Sequence, residues 1–273
     1  MNASAGRPAT RLAAGVLATL LLACSTQVRA QERDYCPERP GIDTPACTME
    51  KGRVSVETAL ADWTRDDGAG SREDNVLIAD TLVRVGVSDT VEARVGWTPF
   101  GHDRTRDETG IDVADRIGDV SLSMKASLSH PDGKGLSIAV LPFVTLPVGR
   151  SPVGDGDWGS GLLLPVTFEM SDTVSLDLTP EVDAAVDDDG HGRHLAYSSA
   201  VGLAFTLDKA VTLNAELQAL RDDDPAGRST QALAALSLAW MVRDDLQFDI
   251  FGAAGLTHDT PDARLYAGVA RRF

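Results

Sequence analysis

Apolar and polar residues alternate along most of this chain, and turns break the alternation at regular intervals. Val91, Ala93, Val95 and Trp97 share one face of a strand, with Glu92 and Arg94 on the other. Residues 119–128 repeat the pattern, setting Val120, Leu122, Met124, Ala126 and Leu128 against Asp119, Ser121, Ser123, Lys125 and Ser127. The stretches 174–179, 211–218 and 246–250 do the same. Successive side chains of a strand point to opposite faces, so a period of two predicts strands with one apolar and one polar face. No helical apolar spacing is sustained after residue 50.

The punctuation constrains the fold further. Short turns begin at 88, 130, 171, 208 and 243, and Ser88-Asp89-Thr90 is nearly repeated at Ser171-Asp172-Thr173. Between them lie longer polar loops at 64–74, 100–118, 147–160, 187–194, 221–229 and 257–262. This divides the chain into twelve candidate strands near 53–63, 75–87, 91–99, 119–129, 136–146, 162–170, 174–185, 195–207, 211–220, 231–242, 246–256 and 263–273. Most reach the roughly 9–11 residues that a tilted strand needs to cross a bilayer. An even strand count, short turns on one side and long loops on the other predict an all-β, antiparallel up-and-down transmembrane β-barrel. Lipid offers no hydrogen bonds to a backbone, so only a helix or a closed sheet can span it. A soluble β-sandwich also alternates, but with mixed loop lengths and its apolar face inward. The chain also ends in Phe273, on the face of Leu265, Ala267 and Val269, as an insertion signal for the barrel-insertion machinery would; Arg271 puts a charge on that same row.

The first thirty residues read as an export signal. Arg7 and Arg11 precede an apolar run at 12–23, too short to span. Cleavage after Ala30 competes with a lipobox-like Leu21-Leu22-Ala23-Cys24, which would leave Cys24 lipidated. The expected division is a signal peptide at 1–30, a periplasmic arm at 31–52 and a barrel at 53–273, with both termini periplasmic. The net charge is −16; removing Arg7, Arg11 and Arg29 from the 25 bases leaves 22 against 41 acids, a net of −19. Such a chain lacks the basic face that nucleic acid requires. Its partners are expected to be outer-membrane lipid, the insertion machinery and a small-molecule cargo.

Cys36 and Cys47 bracket a stretch with three prolines and a glycine between them, a loop with little core of its own. An oxidising compartment favours a disulfide here, and two thiols without nearby histidines make a poor zinc site.

The signal peptide, the Cys-Pro…Cys segment, the sequence Val-Ser-Asp-Thr-Val-Glu-Ala-Arg-Val-Gly-Trp-Thr-Pro at 87–99, Leu141-Pro142-Phe143-Val144-Thr145-Leu146-Pro147 and the terminal Arg-Phe together resemble one family. It is the family of outer-membrane transporters named after the meta pathway of phenol degradation, and the resemblance covers about 35–273. It implies an outer-membrane barrel and passage of aromatic compounds; it carries no catalytic motif.

Sorting the strands by face predicts a lumen lined by Glu57, Asp80, Arg84, Glu92, Arg94, Asp119, Lys125, Glu169, Asp177, Glu181, Asp183, Asn214, Glu216, Gln218 and Asp249. Asp80, Arg84, Glu92 and Arg94 are expected to pair across strands. Asp177, Glu181 and Asp183 have no base close in sequence and are candidates for an acidic path that favours cations or neutral solutes. The runs Asp187-Asp188-Asp189 and Asp222-Asp223-Asp224 lack the spacing of a calcium loop and read as solvated loops. Asp155-Gly156-Asp157-Trp158-Gly159 reads as a tight turn. His102, His191, His194 and His258 fall in expected outer loops and His130 in a short turn, and nothing orders a base around Ser198 or Ser199, so triad logic is unmet. No cofactor or metal is expected. The function expected is a channel for small solutes. The alternatives are a closed structural or adhesive barrel and, behind it, an outer-membrane lipid hydrolase.

Overall fold

Backbone hydrogen bonds run in a closed ring. The computed structural model describes residues 33–68 and 70–273, and the expected signal segment with its two competing cleavage sites lies outside the described residues. Among these residues the chain forms fifteen strands: β1 (Val54–Gly68), β2 (Ser71–Gly86), β3 (Val91–Trp97), β4 (Phe100–Arg106), β5 (Ile111–Arg116), β6 (Val120–Ser129), β7 (Leu136–Leu146), β8 (Gly159–Leu163), β9 (Val166–Ser171), β10 (Val174–Val186), β11 (Arg193–Thr206), β12 (Val211–Asp222), β13 (Ser229–Arg243), β14 (Leu246–Gly255) and β15 (Ala263–Arg272). All pairings are antiparallel, and β1 closes the ring by pairing with both β2 and β15.

Fifteen strands make twelve crossings because three crossings are interrupted. Strands β3 and β4 both lie along β2, broken at Thr98-Pro99. Strands β8 and β9 both lie along β7 and β10, broken at Leu164-Pro165. Proline has no N–H to give the ladder, so each break falls where a donor is missing. The third break, between β5 and β6, spans Ile117 to Asp119. The chain is therefore a twelve-stranded up-and-down barrel, with the five short turns at one end.

Two expected loops are mostly strand. The ladder of β1 and β2 continues to Gly68 opposite Ser71, and β4 pairs with β5 out to Arg106 opposite Ile111. The β1–β2 tip is polar on both faces and the β4–β5 tip is polar apart from the exposed Ile111 and Val113, so neither sustains an alternation in sequence, yet their backbones still pair. His102 accordingly sits on β4 and His194 at the start of β11 instead of in loops.

Inside and outside are reversed relative to a soluble sandwich. Leu217, Leu236, Ile250 and Leu265 are 52–60% exposed on the outer face, whereas Ser55, Glu57, Arg84, Glu92, Lys125, Ser137, Glu216 and Asp249 are buried. A continuous apolar belt of this kind is the lipid-facing surface of a membrane barrel. The inward set on β1 shifts phase once: Ser55, Glu57 and Ala59 are buried, then Asp62, because Leu60 is an extra residue relative to β15, opposite Ala79 of β2 at φ 57°.

Candidate functional site

The disulfide-closed segment does not hang beside the barrel; it fills the lumen. Cys36 and Cys47 are bonded, and the segment from Arg33 to Arg53 touches the wall on all sides. Glu38 N–H donates to Glu57 on β1 (2.8 Å), Gly41 N–H to the Tyr266 hydroxyl on β15 (2.7 Å), and Thr44 N–H to Thr179 on β10 (2.9 Å). Ala46 N–H reaches Thr167 on β9 (3.1 Å) and Met49 N–H reaches Glu92 on β3 (2.7 Å). One segment can contact strands around the whole ring only from within it. Two wall glycines give it room: a Cβ on Gly268 would lie 2.2 Å from Arg39 Nη2, and one on Gly202 2.0 Å from Asp43 Oδ2. Small apolar anchors add to the polar contacts, with Tyr35 and Met49 packed on Ala270, and Ile42 on the cluster of Ala235, Phe251 and Tyr266.

Ion pairs concentrate on one side. Arg84 meets Glu92 with Nε to Oε1 at 3.0 Å and Nη2 to Oε2 at 2.9 Å, meets Glu57 at 3.0 Å, and donates to Cys36 O at 2.8 Å. Arg94 reaches Glu38 at 3.1 Å, and Lys125 binds Glu38 and the carbonyls of Pro45 and Cys47. Three acids and three bases thus form one network, with Glu38 supplied by the arm. Burial alone would raise the Glu38 carboxyl, but Arg94, Lys125 and Arg84 hold it at about 2. Further round, Arg39 forks onto Asp249 (3.1–3.2 Å) and Arg272 meets Glu50 at 3.2 Å.

The opposite side is acidic, and among the described residues its acids form no ion pair. Asp177 accepts from Thr167 (2.5 Å), Glu181 from Ser198 (3.2 Å), and Asp183 Oδ1 is buried without a hydrogen-bond partner. Glu216 Oε1 accepts the N–H groups of Ile42 and Asp43 at 2.6 and 3.0 Å. Burial, then the carboxylates of Glu216, Asp177 and Glu38, push Asp43 up to about 8.

A cavity of about 330 Å³ remains between arm and wall, lined by Glu38, Asp62, Asp80, Asp119, Arg264 and Tyr266 among others. Arg264 forks onto Asp62 (2.6–3.2 Å), and Tyr266 stacks on Phe251 with centroids 4.5 Å apart, Arg39 lying 4.7 Å from the Tyr266 centroid. Asp80 accepts from Thr98 at 2.7 Å. Asp119 ties down the segment after β7, accepting from Gly149 N–H (2.7 Å) and Asp155 N–H (2.8 Å).

Arg84, Glu92, Arg94 and Lys125 come together in one network, whereas Asp80 and Asp119 bind neutral neighbours elsewhere. Asp177, Glu181 and Asp183 follow one another along β10, and Glu216 and Asp249 hold the arm. Sequence reasoning missed Glu38, Arg39 and Asp43, whose segment carried no strand signal. It also missed Phe251, Tyr266 and Arg264, though their parity with Asp249 and Arg272 could have found them. The ring nitrogens of His194 meet carboxylates while Ser198 donates to Glu181, so these two residues serve different neighbours. Phe273 is exposed, its backbone paired with Val54.

No curated protein sequence matches the chain. Among solved structures, it is similar to an outer-membrane channel from Pseudomonas putida F1 (12% identity, TM-score 0.66, covering 90% of this chain and 100% of that one). It is also similar to the translocator domain of autotransporter NalP from Neisseria meningitidis (13%, 0.53, 96% of each chain) and to the KdgM porin (12%, 0.51, 80% and 99%). The fold is that of outer-membrane barrels. The family described as "Putative MetA-pathway of phenol degradation" matches residues 38–273, from the arm through the last strand, and the chain belongs to that family.

Proposed function

We propose that this protein is a passive outer-membrane channel for small solutes, with the arm as the element that narrows its lumen. The observation that carries the reading is an arm held largely by hydrogen bonds and ion pairs inside a polar, closed ring, beside a solute-sized cavity. The channel from Pseudomonas putida and the KdgM porin, which have the same fold, support it. In this reading the short turns, the arm and both termini face the periplasm, the long loops face outward, and Phe273 serves the insertion machinery. The acidic row Asp177, Glu181 and Asp183 favours cations and neutral solutes over anions. The family description suggests aromatic cargo. None of these roles requires a cofactor or catalysis.

Contacts of the arm with the whole circumference favour a second reading, a closed structural or adhesive barrel. Planar-bilayer recordings separate the two. A channel gives discrete conductance steps that grow in the double variant Cys36→Ser/Cys47→Ser. Silence from both proteins would establish the closed barrel.

A further inference from the structure

The two aspartate runs at the long-loop end converge on one histidine. Strand β11 lies between β10 and β12, so His194 near its start has Asp187, just past β10, on one side and Asp222, ending β12, on the other. His194 Nδ1 is 2.9 Å from Asp187 Oδ1 and 3.3 Å from Asp224 Oδ2, and Nε2 is 2.8 Å from Asp222 Oδ1. The side chains of His194 and Asp224 are 6% and 4% exposed, while Asp189 in the same loop is 75% exposed. The sequence reading of both runs as solvated is therefore wrong for these residues. Asp224 is held in place, its Oδ2 accepting from Asp188 N–H (2.8 Å) and its Oδ1 from Ala226 N–H (2.5 Å).

This arrangement is more than a patch of acid. A neutral imidazole has one N–H and one lone pair. With the proton on Nδ1 the ring donates to Asp187 Oδ1 (2.9 Å); with the proton on Nε2 the Nδ1 lone pair faces the oxygens of Asp187 and Asp224, and a cation between them completes the contact. Nδ1, Asp187 Oδ1 and Asp224 Oδ2 all lie within 4.8 Å of one another. Ligands of a tetrahedral zinc ion at its usual bond lengths are roughly 3.3 Å apart. The Nε2 contact with Asp222 is close but poorly aligned for a hydrogen bond, leaving that buried nitrogen unsatisfied.

We infer that Asp187, His194 and Asp224 bind a divalent transition cation of the zinc class, with Asp222 orienting the imidazole. Mixed imidazole and carboxylate donors suit zinc, cobalt or nickel, whereas calcium and magnesium take oxygen donors. A carboxylate behind the ligating histidine fixes its tautomer; Asp222 Oδ1, 2.8 Å from Nε2, takes that role once the ring turns to bring the N–H into line. The bound ion ties the loop after β10 to the loop after β12 and keeps a coordination position open to solvent at the rim.

The test is titration of the refolded, tag-free, chelator-treated full chain with Co²⁺ and Zn²⁺, using visible absorption and calorimetry. One Co²⁺ per chain should bind with tetrahedral d–d bands, and Zn²⁺ should displace it. His194→Gln and Asp224→Asn should each weaken binding at least about 30-fold. Asp222→Asn should weaken it roughly 10–100-fold while keeping the bands at saturation, as outer-shell partners do. A heat-modifiable gel shift identifies folded barrel in every variant. Three results would each overturn the site: no stoichiometric binding to folded wild type, binding retained in folded His194→Gln, or displacement of Co²⁺ by Ca²⁺ as readily as by Zn²⁺. The third would make it a general acidic patch.

Discussion

Arg84 and Glu92 face each other side-on across neighbouring strands, two parallel N–H···O bonds of 3.0 and 2.9 Å joining groups that are fully buried. Removing one partner of such a pair strands the other charge, at a cost of roughly 3–5 kcal/mol. Arg84→Met leaves Glu57 and Glu92 facing Arg94 and Lys125 alone, and it also deprives Cys36 O of its donor. Urea unfolding in detergent should shift to markedly lower denaturant. An unchanged midpoint would mean the pair adds nothing to stability.

Closing the loop between Cys36 and Cys47 limits the freedom of the detached arm, an effect of roughly 2–3 kcal/mol for a loop of this length. The double serine variant should keep its barrel, seen as normal heat-modifiability, while its arm becomes a protease substrate. Equal resistance of the arm in both proteins would show that wall contacts alone hold it.

Asp43 gives the seating of the arm a pH dependence. Its pKa in the seated arm, about 8, lies above the ordinary carboxylate range because of burial and the facing carboxylates of Glu216, Asp177 and Glu38. A raised acid favours the seated state fully only below its unfolded pKa, and that preference is lost as pH rises toward 8. Conductance should therefore increase between pH 6 and pH 9 in the wild type and change little in Asp43→Asn. Identical pH profiles would remove Asp43 from any role in seating.

Selectivity should rest on the row along β10. Replacing Asp177, Glu181 and Asp183 with their amides should lower cation preference, most visibly at low salt. Reversal potentials under a salt gradient measure this. A triple variant that conducts with an unchanged potential would mark the row as shielded from the path.

Sidedness has its own check. Val95 is 45% exposed on the outer face, and Val95→Arg should cost roughly 2–4 kcal/mol if it lies near mid-bilayer, impairing insertion into vesicles. Arg94→Ala, one residue away and inward, should insert normally. Equal yields of the two would reverse the assignment of faces.

The barrel was legible because lipid imposes a rule on every residue of a crossing: Val91, Ala93 and Val95 outward, Glu92 and Arg94 inward. Where water is on both sides the rule lapses, and the β1–β2 and β4–β5 tips, which pair but do not alternate, were read as loops. The arm was legible only as a disulfide loop. Its placement depends on Glu38 meeting Arg94 and Lys125, and on Arg39 meeting Asp249 some two hundred residues away, and no local pattern encodes such encounters. His194 was hidden similarly: each aspartate run looked solvated alone, and strand order brought the runs to opposite sides of one ring.

The arm's contacts also set an order of events during assembly. Arg33 O accepts from Arg272 across 239 residues, and Arg39 grips Asp249 across 210. The arm, made before every strand, therefore lacks part of its wall until the last strands exist. Contacts so distant in sequence come late, because they close the largest loops. The arm can complete its set of contacts only once β14 and β15 are in place.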